Sequence, residues 1–130
     1  IPYYNRIVHL CFYLERNPDV KFIENLEKLM DDPNIKGYKT SEYNQTRWRI
    51  YGANLELLLA VAAIRCGSMK GTECLISYLE DIHSNFRYFS RNELCSVYGK
   101  DGGYDRAAWR KLVKDKKSLK VSPLKKSIEV

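Results

Sequence analysis

Arg106, Arg110 and Lys114 stand four residues apart, a spacing that lines side chains along one face of a helix. Such a row can meet phosphates, and Arg106 or Arg110 could fork onto a guanine edge. Lys111 belongs to the same segment, and Lys116, Lys117 and Lys120 carry the charge beyond it. Trp109, Leu112 and Val113 fall on the opposite side, so the stretch from Arg106 to about Lys116 is expected to be an amphipathic helix. The same pattern suits a solvated helix beside a basic tail. A second cluster, Arg47-Trp48-Arg49 with Tyr51, sets aromatic rings beside guanidinium groups, a combination on which single-stranded nucleic acid stacks. Those rings can equally pack under a following helix with both arginines in water.

Residues for covalent or acid–base chemistry are sparse. The histidines, His9 and His83, are read as lying in the first and fourth helices, with Glu80 near enough in sequence to pair with His83. Cys11, Cys66, Cys74 and Cys95 include no C-x-x-C pair, and the gaps from Cys66 to Cys74, His83 and Cys95 fit no common zinc spacing. Cys74 and His83, nine residues apart on one helix, would point to opposite sides, which argues against a thiolate–imidazole pair. Asp31-Asp32 and Glu80-Asp81 read as helix-surface charge. Gly99 and Gly102-Gly103 follow no clear apolar strand, so they make no phosphate-cradling loop. The expectation is a non-enzymatic protein without cofactor or metal. Its cysteines then serve as small apolar residues in a reducing, intracellular compartment.

The formal net charge is +6, and all of it lies in residues 104–130, where nine basic residues face three acidic ones. The first 103 residues balance, with 13 of each sign. A neutral body with a basic end implies an anionic partner for that end. At 130 residues the chain is the size of one domain. It opens on Ile1 and is read as an excised domain or processed product.

These cations need a frame, and the frame is organised around Ala53–Cys66, the most apolar run in the chain. Its alanines and leucines favour helix, and a helix apolar on every side must be buried on every side. About 14 residues fall short of the roughly 20 needed to cross a bilayer, so no membrane partner is expected. The helix is taken to begin near Asn44 with Gly52 inside it, although the alternation at 46–51 also suits a short strand.

Around it, residues 3–16 predict a first helix with Ile7, Leu10, Cys11 and Leu14 inward and Tyr3, Tyr4, Phe12 and Tyr13 widening that face. Asn17 and Pro18 are read as the start of a second helix, Asp19–Met30. Ser68–Gly71 is read as a link, Thr72 as the cap of a fourth helix to Ser84, and Asn85–Phe89 as a packed linker. Ser90-Arg91-Asn92-Glu93 has the form of a capping box opening a short fifth helix to about Tyr98. Asp105 caps the sixth. From Ser118 the periodicity stops. The tail is expected to be mobile and to serve as a phosphate-binding arm, a nuclear-import signal or a linker. Within it Ser122-Pro123-Leu124-Lys125 suits a proline-directed kinase.

Residues 88–113 carry a Phe, a helix with Glu93-Leu94, then Gly99-Lys100 and a helix opened by Asp105. In these features they resemble the later half of BEN domains, helical modules that bind DNA and proteins. The likeness covers about a fifth of the chain and the connecting segments depart from the pattern, so the chain is not assigned to that family.

The sequence thus predicts an all-α fold: a single bundle of five to six helices over residues 1–117 around a buried helix at about 44–66, with a flexible basic tail at 118–130. The expected function is nucleic-acid association, with DNA or RNA, in an intracellular and nuclear setting. The expected contacts are Arg106, Arg110, Lys111, Lys114, Lys116, Lys117, Lys120, Arg47 and Arg49, the fifth and sixth helices forming a helix-turn-helix-like pair. The alternative is a protein-interaction domain whose tail is a linker or targeting signal.

Overall fold

The structure, a computed structural model, describes residues 3–33, 35, 47–114 and 119–124, with 47–52 described by backbone alone. The described chain forms α1 (Tyr4–Arg16), a 3-10 turn (Val20–Phe22), α2 (Ile23–Met30), α3 (Arg47–Cys66), α4 (Met69–Ser77), α5 (Ser84–Tyr98) and α6 (Arg106–Val113). Among the described residues there is no strand, and the fold class is all-α. The backbone at Arg47–Ile50 is helical, which settles the strand alternative there; residues 44–46 lie outside the described residues.

From Ala53 to Cys66 every residue of α3 is buried except Asn54 and Leu58, which are half-buried. Helices α1, α2, α4 and α5 pack against it. Gly67, at φ +108°, ends α3 in a conformation that only glycine adopts without strain. The chain then turns straight into α4. Ser68, expected within a link, is the cap: its Oγ accepts from Gly71 N at 3.2 Å. Gly71 is the point where α4 presses on α3. A Cβ there would lie 2.7 Å from the Ala60 carbonyl oxygen and 2.9 Å from Ile64 N. Thr72, expected as the cap, is instead buried inside α4 with its hydroxyl 2.7 Å from that of Tyr98.

Other boundaries also differ from expectation. Asp19 takes the capping role expected of Asn17, accepting from Lys21 N at 3.0 Å, and the first turn of the expected second helix is 3-10. Asn17 instead closes α1, donating from its backbone N to Tyr13 O at 2.9 Å. The fourth helix stops at Ser77, and Ser84, its expected end, opens α5 instead. Residues 85–89 therefore belong to α5, and the expected capping box sits in its middle. Ser90 is buried there, and Glu93 reaches across to Arg65 on α3. On α1, Cys11 and Leu14 are buried as the spacing requires; Tyr3 and Tyr13 are exposed and do not widen the inward face, and Phe12, also exposed, borders a cavity beside α3 and α5.

The largest difference concerns the tail. Residues 119–124 do not stand away from the helices: Ser122 N donates to Arg65 O at 2.8 Å and Leu124 N donates to Glu15 O at 2.7 Å. Both acceptors lie in the last turn of a helix, where carbonyls have no intrahelical partner. The segment is a strap that caps the ends of α1 and α3, with Leu119 packed against the core. Residues 115–118 and 125–130 lie outside the described residues.

Candidate nucleic-acid interface

Helix α6 is set by three local devices. Asp105 Oδ1 accepts from Ala107 N at 2.9 Å and Ala108 N at 3.4 Å, satisfying first-turn amides. Trp109 is fully buried and donates from Nε1 to Gly103 O at 2.8 Å, tying the helix to the turn before it. Val113 is buried one turn further on. With that face fixed inward, the cations stand on the outer and lateral faces.

They divide into two sets. Arg106 donates from Nε to Glu80 Oε2 at 2.6 Å, and Arg110 Nε lies 3.7 Å from Glu73 Oε2. Glu80 holds the Arg106 guanidinium even further above its ordinary pKa. Lys111 and Lys114 are exposed and have no ion-pair partner among the described residues, and Lys120 is exposed on the strap. The backbone at Arg47 and Arg49 is in the first turn of α3, their side chains being outside the description. Lys116 and Lys117 lie outside the described residues.

The helix-turn-helix expectation meets two obstacles. Residues 99–105 separate α5 from α6, a longer turn than the usual three or four residues. Arg106, at the leading end of α6, is flanked by the Glu80 carboxylate, which repels a phosphate. The turn itself is firmly held: Arg91 forks onto Asp101, whose Oδ1 also accepts from Gly103 N at 2.7 Å. The Arg91 guanidinium, then the Gly103 amide, holds the Asp101 carboxyl well below the usual carboxylate range.

Sequence reasoning missed a buried polar cluster at the far end of α3. Arg65 is 2% exposed. Its Nη2 donates to Glu93 Oε2 and to Ser96 Oγ, both at 3.0 Å, and its Nη1 donates to Ser122 O at 3.3 Å and Ser122 Oγ at 3.4 Å. Glu15 is buried beside this group, and burial, then the Glu93 charge, pushes its carboxyl up to about 7. The available signal was a charged residue inside an otherwise apolar helix. Glu56 gave the same signal: it is buried in α3 and accepts from Tyr78 Oη at 2.5 Å.

A third feature is a cavity of about 620 Å³ between α1, α3 and the start of α5. Phe12, Leu57, Phe86 and Phe89 wall it, with Asn54 and His83 among its polar lining. His83 is not inside a helix but stands at the N-cap position of α5, without a side-chain capping bond. Its partner is Asp81, not Glu80: His83 Nδ1 lies 2.9 Å from Asp81 Oδ2, and Asp81 is buried, not surface charge. The imidazole is thus oriented, yet among the described residues no Ser, Thr, Cys or carboxylate lines the cavity beside it. Burial also pushes the Cys11 thiol up to about 12 and raises those of Cys66 and Cys95, which disfavours the thiolate form.

The described residues contain no group of three or more His, Cys, Asp or Glu placed to hold a metal, and no helix long and apolar enough to cross a membrane. No family model matches the chain, and no curated protein or solved structure matches it at a significant level.

Proposed function

We propose that this chain is a non-enzymatic helical module that associates with DNA or RNA through the phosphate backbone. The supporting observation is the placement of charge. The whole net +6 lies beyond residue 103, and in that region Lys111, Lys114 and Lys120 are exposed without ion-pair partners among the described residues. Lys116 and Lys117 extend the arm in sequence. Arg106 and Arg110 join by exchanging exposed carboxylate partners for phosphates, a small cost because solvent and salt screen such pairs. Arg47 and Arg49 are a secondary contact. A nuclear location belongs to this reading.

The test is binding of fluorescent duplex DNA, single-stranded DNA and RNA at several salt concentrations. The full chain is compared with a Lys111→Gln, Lys114→Gln, Lys120→Gln variant. Each lost phosphate contact on duplex DNA lowers the slope of log affinity against log salt by about 0.9, so three lower it by roughly 2.7. Absent or salt-insensitive binding by the full chain sinks the proposal.

A second reading is a protein-interaction domain. The exposed rings of Tyr3, Phe12 and Tyr13 on and beside α1 favour it, because aromatic residues are enriched at protein interfaces. A partner held there would bind with little salt dependence and would be released by Phe12→Ser with Tyr13→Ser.

A further inference from the structure

The strap brings together a serine, a proline-directed sequence and a cluster of negative ends. Ser122 is the only Ser or Thr in the chain that is followed by proline, and Lys125 stands three residues after it. Residues 119–124 carry no helix or strand, so they can be drawn off in the extended form that a kinase cleft accepts. Two backbone hydrogen bonds, Ser122 N to Arg65 O and Leu124 N to Glu15 O, hold them down. Among the described residues, the Ser122 hydroxyl itself only accepts a long bond from Arg65 Nη1 at 3.4 Å.

We propose that Ser122 is a phosphorylation site and that the phosphate releases the strap from the ends of α1 and α3. Transfer of the terminal phosphoryl group of ATP forms the Oγ–P bond, breaks the P–O bond to ADP and sheds the hydroxyl proton. The product carries about 1.5 to 2 negative charges at neutral pH. Docked, it would face the C-terminal ends of α1 and α3, each equivalent to about half a negative charge. It would also face Glu93, which is paired to Arg65, and Glu15, partly ionised near neutral pH. Among the described residues Arg65 is the one cation hydrogen-bonded to Ser122, and its Nη2 is already committed to Glu93 and Ser96. Negative charge at a helix C-terminus and beside carboxylates disrupts docking. Release turns a clipped segment into a free arm, whatever the arm binds.

The experiment treats the full chain with a proline-directed kinase and MgATP, with Ser122→Ala as the control for the modified position. Amide hydrogen exchange is then followed across residues 119–124. The expected result is incorporation into the unmodified chain and not into Ser122→Ala. The Ser122 and Leu124 amides should then exchange about tenfold faster or more while α3 and α4 stay protected. No incorporation at Ser122 overturns the site. Incorporation with unchanged or slower exchange overturns the release, since it means that Arg65, whose Nε is buried without a partner among the described residues, clamps the phosphate.

Discussion

Arg65 and Arg106 each meet a glutamate, yet the two pairs are different objects. Arg65 lies 3.0 Å from Glu93, with side chains 3% and 19% exposed; Arg106 lies 2.6 Å from Glu80, with side chains 41% and 51% exposed. The shorter contact is the weaker one. In water a guanidinium gains little from a carboxylate, because solvent and salt screen the pair and both side chains lose freedom. Inside the protein, removing one partner strands the other charge away from water. Distance therefore does not rank these pairs, whereas burial does. The arginine that matters for the fold is the one sequence reasoning passed over, and the arginines it singled out remain available for other partners.

Four substitutions probe this contrast. Replacing Arg65 by Leu should cost the most, about 3 to 5 kcal/mol of unfolding free energy in a denaturant titration, because Glu93 is left without its cation. A loss no larger than that of an exposed pair would erase the distinction. Gly71→Ala should cost about 1 to 3 kcal/mol by the same measurement. It forces a Cβ against the α3 backbone and separates steric tightness around α3 from the charge effect at Arg65.

Glu15→Gln extends the comparison to pH. The Glu15 carboxyl titrates near 7 in the fold against 4.5 for its ordinary value. The folded state holds the extra proton between those values, so stability falls as pH rises through that window. The Gln variant should match the parent below about pH 4.5 and exceed it by about 1 to 3 kcal/mol above pH 7, read from melts across the range. A parent whose stability rises between pH 5 and 7, relative to the Gln variant, contradicts the raised pKa. The smallest effect is expected for Arg106→Gln, a change in the denaturant midpoint too small to resolve, because an exposed, solvent-screened pair contributes little to stability. Its loss of nucleic-acid affinity should also be smaller than that of the three-lysine variant, because Arg106 is already paired.

Features that depend on neighbouring residues were legible in the sequence. The Asp105 cap, the inward Trp109 and Val113, and the near-complete burial of 53–66 follow from propensity and periodicity, and the structure repeats them. Features decided by tertiary contact were not. Gly71 reads as a breaker, but it is inside α4 because α3 leaves no room for a side chain. Ser90 and Glu93 have the spacing of a capping box, but Glu93 is drawn to Arg65 and the helix runs straight through. The strap was invisible for a related reason. Its anchoring bonds join backbone atoms of residues 122 and 124 to helix-end carbonyls, and a backbone amide leaves no mark on residue type. For the candidate interface, the location of the positive charge was readable, whereas the carboxylates beside Arg106 and Arg110 come from α4 and its exit, apart in sequence.

The strap also sets an order of events during synthesis. The carbonyl of Glu15 waits for the amide of Leu124, 109 residues later. At roughly 5 to 20 residues per second this interval is on the order of 5 to 20 s. Through that time the emerging chain can assemble α1 to α4, but the carbonyls of Glu15 and Arg65 lack their strap donors. A nascent chain paused between α6 and residue 119 therefore lacks the amides that the Glu15 and Arg65 carbonyls accept from. Completion of those bonds reports that translation has passed residue 124.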